Sequence, residues 1–109
     1  MKKNQLTKGE NRRIMYIENK DGEIDGAGAG ARVGWVTFSK SGLTVYYRDK
    51  TLLRIKGGGK KGNYLDEKTG EEYWISGVKK RDSNAHQAKS VQVVIDEYAV
   101  EEYERLLKY

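Results

Sequence analysis

The densest chemistry in this chain of 109 residues is cationic. Arg54, Lys56, Lys60 and Lys61 flank Gly57-Gly58-Gly59, and Lys79-Lys80-Arg81 follows shortly after Trp74. Glycines let backbone N–H groups close on an anion, and lysines supply the neutralising charge. Tyr64 and Trp74 are interleaved with these basic residues. A single-stranded nucleic-acid groove uses that combination to stack bases while it tracks phosphates. The expected nucleic-acid-binding set is therefore Arg54, Lys56, Lys60, Lys61, Tyr64, Trp74, Lys79, Lys80 and Arg81, with Tyr64 and Trp74 as stacking platforms if they face outward. The competing reading is a glycine-rich hairpin solvated by lysines, with the aromatics filling a small core.

Other chemistries are poorly supplied. His86 is the sole histidine and there is no cysteine, which removes disulfides, redox thiols and Cys- or His-cluster metal sites. No cofactor is expected. Asp82, Ser83 and His86 are the residue types of a hydrolytic triad, but three neighbours on one polar loop rarely reach its geometry. General acid–base work by His86 with Lys79, Lys80 or Asp82 stays open, because an unperturbed imidazole titrates near neutrality. Glu71-Glu72 reads as a partner for nearby lysines rather than a magnesium site. Gly26-Ala27-Gly28-Ala29-Gly30-Ala31 matches the dinucleotide pattern G-x-G-x-x-A, yet a strand, not a helix, follows it. Gly57 and Gly62 have P-loop spacing, but Asn63 stands where that motif needs lysine.

These residues need elements to position them. Residues 1–11 are polar and aperiodic, a flexible lead-in to one β-rich domain over 12–109. Alternation predicts a strand over 12–18, and Gly22 to Ala31 is loop-like. Runs rich in Val, Thr, Tyr, Trp and Phe at 32–39, 43–48 and 51–56 predict three strands joined by hairpin loops at Lys40-Ser41-Gly42 and Asp49-Lys50. A short strand around Asn63-Tyr64-Leu65, a turn at Glu67-Lys68-Thr69-Gly70 and a strand over 71–78 follow. Val91 to Ile95 is a compact β-branched run expected to be the most buried strand. Asp96 is expected to cap a helix over 97–108, whose Ala99, Tyr103, Leu106 and Leu107 share one face. The expected core is Val33 or Val36 with Phe38, Val45, Leu53, Ile55, Ile75, Val91, Val93, Ile95, Tyr103 and Leu107.

The fold class is accordingly mainly β: a small antiparallel barrel or curled sheet with one C-terminal α-helix. With no proline to blunt sheet edges, closure is one way to dispose of them. Src-homology-3-like and OB-type barrels both fit the length. Tight hairpins and an unbroken meander favour the Src-homology-3-like form.

Charge is polarised along the chain. The net charge is +5, but residues 40–89 hold twelve basic against six acidic side chains, while residues 90–109 hold two against five. Such asymmetry suggests an anionic partner on one face. No apolar run approaches a membrane span, and the basic start Met1 to Lys8 lacks a signal peptide's apolar stretch, so a cytoplasmic protein with no membrane association is expected.

Thr69-Gly70-Glu71-Glu72-Tyr73-Trp74-Ile75-Ser76-Gly77-Val78-Lys79-Lys80 resembles a family of small bacterial proteins of about this size. The similarity extends through Ile14 to Glu18, Gly34 to Gly42, Tyr46-Tyr47, Asn63-Tyr64 and Ile95-Asp96. Members are often mislabelled as 1-deoxy-D-xylulose-5-phosphate synthase. That enzyme encloses thiamine diphosphate between domains in a chain several times longer, so the label does not fit. In relatives the loop after the two lysines often reads G-x-D-R-H and then an aromatic. Here Arg81 to Gln87 keeps a histidine, His86, without the arginine before it or the aromatic after it. The resemblance implies no established activity.

The functional expectation is a non-enzymatic nucleic-acid-binding module. One alternative is a protein-interaction module that takes a partner peptide in a barrel groove or at a strand edge. Another is a small hydrolase or nuclease using His86.

Overall fold

The computed structural model describes residues 11–25, 28–78 and 92–108. Seven strands form: β1 (Asn11–Asn19), β2 (Ala31–Phe38), β3 (Thr44–Tyr47), β4 (Lys50–Arg54), β5 (Tyr64–Asp66), β6 (Glu72–Gly77) and β7 (Val93–Ile95). A 3₁₀ turn, Glu97–Ala99, leads into α1, Val100–Lys108. Each of β1 to β5 pairs antiparallel with the next, and β6 returns to β1, closing a six-stranded barrel in sequence order. The mainly β barrel with a C-terminal helix is what the strand periodicity and turn chemistry predict. Short hairpins favour this order because sequential antiparallel strands need only a few connecting residues.

The seventh strand lies outside the closed ring. β2 pairs with β3 only through Thr37 and Phe38, and its first three residues pair in parallel with β7. β7 is therefore half-exposed, with Ile95 outward. This corrects the expectation of a most-buried strand: the β-branched run completes an edge instead of crossing the core. Val91 lies outside the described residues, as do Lys79, Lys80, Arg81 and His86.

Two apolar layers result. Inside the barrel, Ile17, Val36, Val45, Tyr47, Leu52, Tyr64, Tyr73 and Ile75 pack together, with Ile24 from the β1–β2 loop. Outside β1 and β2, Ile14, Tyr16, Ala31 and Val33 pack with Ala99, flanked by Trp35, Trp74, Val93 and Tyr103. Strand side chains alternate between faces, so β1 and β2, covered on both, carry apolar residues at both parities. This explains the unbroken run from Ile14 to Ile17.

Several expected core residues lie elsewhere. Leu53 points outward and Leu52 fills the barrel, because the two-residue turn pairs Tyr47 with Lys50 and so sets Leu52 opposite Val45. Leu107 is exposed, the C-terminal segment engaging the sheet mainly through Ala99 of the 3₁₀ turn and Tyr103 of α1. Among the described residues no helix is long and apolar enough to cross a membrane.

Candidate functional site

The predicted basic residues occupy the β4–β5 connection. Arg54 ends β4 with its guanidinium 5.7 Å from the Tyr64 ring centroid, and Lys56 and Lys60 are exposed with no ion pair among the described residues. Lys61 is ion-paired with Asp21. The glycine loop does bring amides onto an anion, and that anion belongs to the chain. Glu72 Oε1 accepts the N–H groups of Lys61 and Gly62, each at 2.8 Å. Those hydrogen bonds hold the Glu72 carboxyl below its ordinary 4.5.

This arrangement sets an acid limit on the loop. The depressed value means Glu72 stabilises the loop above its ordinary pKa and ceases to do so as pH falls from 4.5 through the lowered value. Amide titration of Lys61 and Gly62 is expected to report a midpoint below 4.5. A midpoint at or above 4.5 would contradict the capping geometry.

The two aromatic platforms are not where a binding face needs them. Tyr64 is buried in the barrel interior, its hydroxyl donating to the Gly42 carbonyl at 3.2 Å. Trp74 is half-buried in the outer apolar layer beside β1. Both are corrected for one reason. Each side chain turns into an apolar layer, Tyr64 into the barrel and Trp74 into the outer layer.

An unforeseen cleft opens where β2 separates from β3. It measures about 670 Å³ and its lining includes Arg12, Arg32, Trp35, Arg48, Asp96 and Tyr98. The Arg12 guanidinium stacks 4.0 Å from the Trp35 ring centroid. Trp35 Nε1 donates to the Tyr98 carbonyl at 3.1 Å, which fixes the chain while leaving the Tyr98 ring 86% exposed. Arg12 makes no ion pair among the described residues and is open to an anion.

Asp96 closes the seam beneath this cleft. Its carboxylate accepts from Tyr47 Oη at 2.6 Å and Arg32 Nε at 2.5 Å, and Arg48 Nη1 lies 3.3 Å away. The expected helix cap is therefore absent; the side chain turns into the barrel wall instead. Gly34 makes this possible, since a Cβ there would stand 2.2 Å from Asp96 Oδ2. Burial first, and then the bond to Asp96, push the Tyr47 phenol well above its usual value, so it remains a donor.

Backbone strain collects at the same end. Arg48 and Asp25 are the two non-glycine residues with positive φ among those described, at 55° and 58°, and they are ion-paired at 2.9 Å. Arg48 heads the two-residue β3–β4 turn, a place that favours glycine. An arginine there costs about 1 kcal/mol of strain, a kind of cost that recurs at functional sites.

Sequence reasoning missed the cleft because Arg12, Trp35, Arg48 and Tyr98 come from four separate segments. Only the β1–β2 register, which pairs Arg12 with Thr37 and Ile14 with Trp35, sets Arg12 beside Trp35 on one outer face. Among the described residues no cluster of acidic or histidine side chains could hold a metal ion. Compared with known proteins, the chain has no significant match to a family model, a curated protein or a solved structure.

Proposed function

We propose that the protein is a non-enzymatic nucleic-acid-binding module that acts on single strands. The observation that carries this is the cleft in which Arg12 stacks on Trp35 beside the outward Tyr98 ring and Arg48. The exposed Tyr98 ring suits an unpaired base, which a duplex hides, and the guanidinium groups suit phosphates. Lys56 and Lys60, both exposed, raise the overall attraction for a polyanion without lining the cleft. Membership of the small bacterial family with the T-G-E-x-Y-W-I-S-G run, a cytoplasmic location and a Src-homology-3-like character, which the tight hairpins support, belong to the same reading.

The test is fluorescence anisotropy with labelled twelve-nucleotide DNA and RNA strands and their duplexes. Affinity is expected to fall steeply with salt as counterions return to the phosphates, and to favour single strands. Arg12→Ala and Tyr98→Ala should each weaken it by about tenfold, the lower range for loss of a stacked base. Equal binding of duplex and strand, or no binding at low salt, would refute the reading.

A second reading, a protein-interaction module, draws on the β7 edge, which has no further strand beside it among the described residues, and on the exposed Leu43, Tyr46 and Leu53. Extended peptides add to such edges. A partner protein that stays bound through nuclease treatment and moderate salt would favour it.

A further inference from the structure

The glycine loop takes no part in the Arg12 cleft, yet it is built as an oxyanion seat. Two consecutive amides, Lys61 and Gly62, aim at one oxygen, Glu72 Oε1, from 2.8 Å each. The Gly59 N–H closes the turn onto the Gly62 carbonyl at 2.9 Å. A Cβ on Gly59 would stand 2.5 Å from that same Glu72 oxygen, so a side chain there would crowd the carboxylate in its seat. Its floor is rigid, because Gly62 lies against β6 so closely that a Cβ would meet the Tyr73 carbonyl oxygen at 2.3 Å. Asp21 braces the arrangement, accepting from the Glu72 amide at 2.8 Å and pairing with Lys61 Nζ. Lys60 stands exposed beside the seat without an ion pair among the described residues.

We propose that the Gly59–Gly62 loop is a phosphate-binding seat that the chain's own Glu72 keeps occupied. Convergent backbone amides in a turn bind phosphate oxygens and carboxylate oxygens alike, and both anions present an oxygen to the same two donors. Glu72 competes from within the chain and therefore at high effective concentration. A phosphate brings more charge than a carboxylate and can also engage Lys60. It enters when Glu72 withdraws, and the loop is then a gated phosphate site instead of a purely structural turn. The inference does not depend on the nucleic-acid reading: the seat and the Arg12 cleft share no residue.

The experiment is a titration of the ¹⁵N-labelled full chain with inorganic phosphate, matched in ionic strength by chloride. Wild type, Glu72→Ala and Glu71→Ala are compared. Glu71 carries the same charge one residue away and bonds Asn19 and Thr69 outside the seat. In Glu72→Ala the Lys61 and Gly62 amides are expected to shift and saturate at a phosphate concentration about tenfold lower than in wild type, the factor of one charge-assisted hydrogen bond. Glu71→Ala should behave as wild type. The proposal is overturned if those amides in Glu72→Ala respond to phosphate no more than to chloride, or if Glu71→Ala gains as much. Should Glu72→Ala fail to fold, Glu72→Gln keeps an acceptor in the seat without its charge, and an absence of any gain there overturns the proposal equally. Phosphate that shifts only Arg12 and its neighbours also counts against it.

Discussion

Replacing Asp96 with alanine is expected to lower the unfolding free energy by about 3 kcal/mol, the lower end for removing one partner of a buried ion pair. The Asp96 and Arg32 side chains are 12% and 13% exposed, so little water reaches either group. Without the carboxylate, the Arg32 guanidinium loses its partner and the Tyr47 hydroxyl loses its acceptor inside the barrel wall. Each uncompensated group adds its own desolvation penalty. For a domain of this size that corresponds to a fall in melting temperature of roughly 10–20 °C. Asp96→Asn should lose less, since it keeps an oxygen for Tyr47. Gly34→Ala should approach the alanine variant by forcing Asp96 out of its place. Urea unfolding of the three variants is the measurement. A loss below 1 kcal/mol in Asp96→Ala would mean that the carboxylate does not hold the seam. The same variants bear on the cleft, because Arg48 is held partly by Asp96 and partly by Asp25. A seam that opens should weaken strand binding along with stability, whereas Tyr98→Ala should weaken binding alone.

The second large effect separates two adjacent leucines. Leu52→Ala is expected to cost about 3 kcal/mol, the mid-range for truncating a fully buried leucine, because a cavity is left among Val45, Tyr47 and Tyr64. Leu53→Ala should cost less than about 1 kcal/mol, since its side chain is 37% exposed on the outer face. Chemical denaturation of the two variants reads the register of the β3–β4 hairpin directly. A reversal would place Leu53 inside and would require every cross-strand pair from Tyr47–Lys50 onward to slip by one residue. Equal losses would mean that the hairpin is not fixed in one register.

These two cases show where local reading succeeds and where it stops. The strands around Ile14, Val36, Val45 and Ile75 follow from alternation and β-branched or aromatic content over four to nine residues, which a local window contains. Leu52 and Leu53 are equally apolar neighbours, so the pattern alone fits either parity. The turn at Arg48-Asp49 decides between them by bringing Tyr47 opposite Lys50. Val93 to Ile95 is as β-branched as a central strand, yet it becomes an edge because β2 has already given one side to β1 and part of the other to β3. Composition cannot distinguish those positions, because both suit Val and Ile.

The candidate sites divide in the same way. Anion-seeking amides in the glycine loop were legible, since glycine and flanking lysines are local properties; that Glu72 supplies the anion was not, because it lies ten residues beyond Gly62 on another strand. Asp96 has the composition of a helix cap, and its local surroundings favour one. Tyr47 and Arg32, 49 and 64 residues away, offer a stronger set of donors in a drier place.

By itself the sequence determined a Cys-free, Pro-free chain of strands and hairpins with a terminal helix and a polarised charge. Each of those properties depends on residue type and on neighbours a few positions away. Tertiary structure alone decided which residues share a surface: Arg12 with Trp35 and Tyr98, Glu72 with the glycine loop, Asp96 with Tyr47. Those groupings arise from strand register and barrel closure, which join distant segments through backbone hydrogen bonds that carry no residue identity.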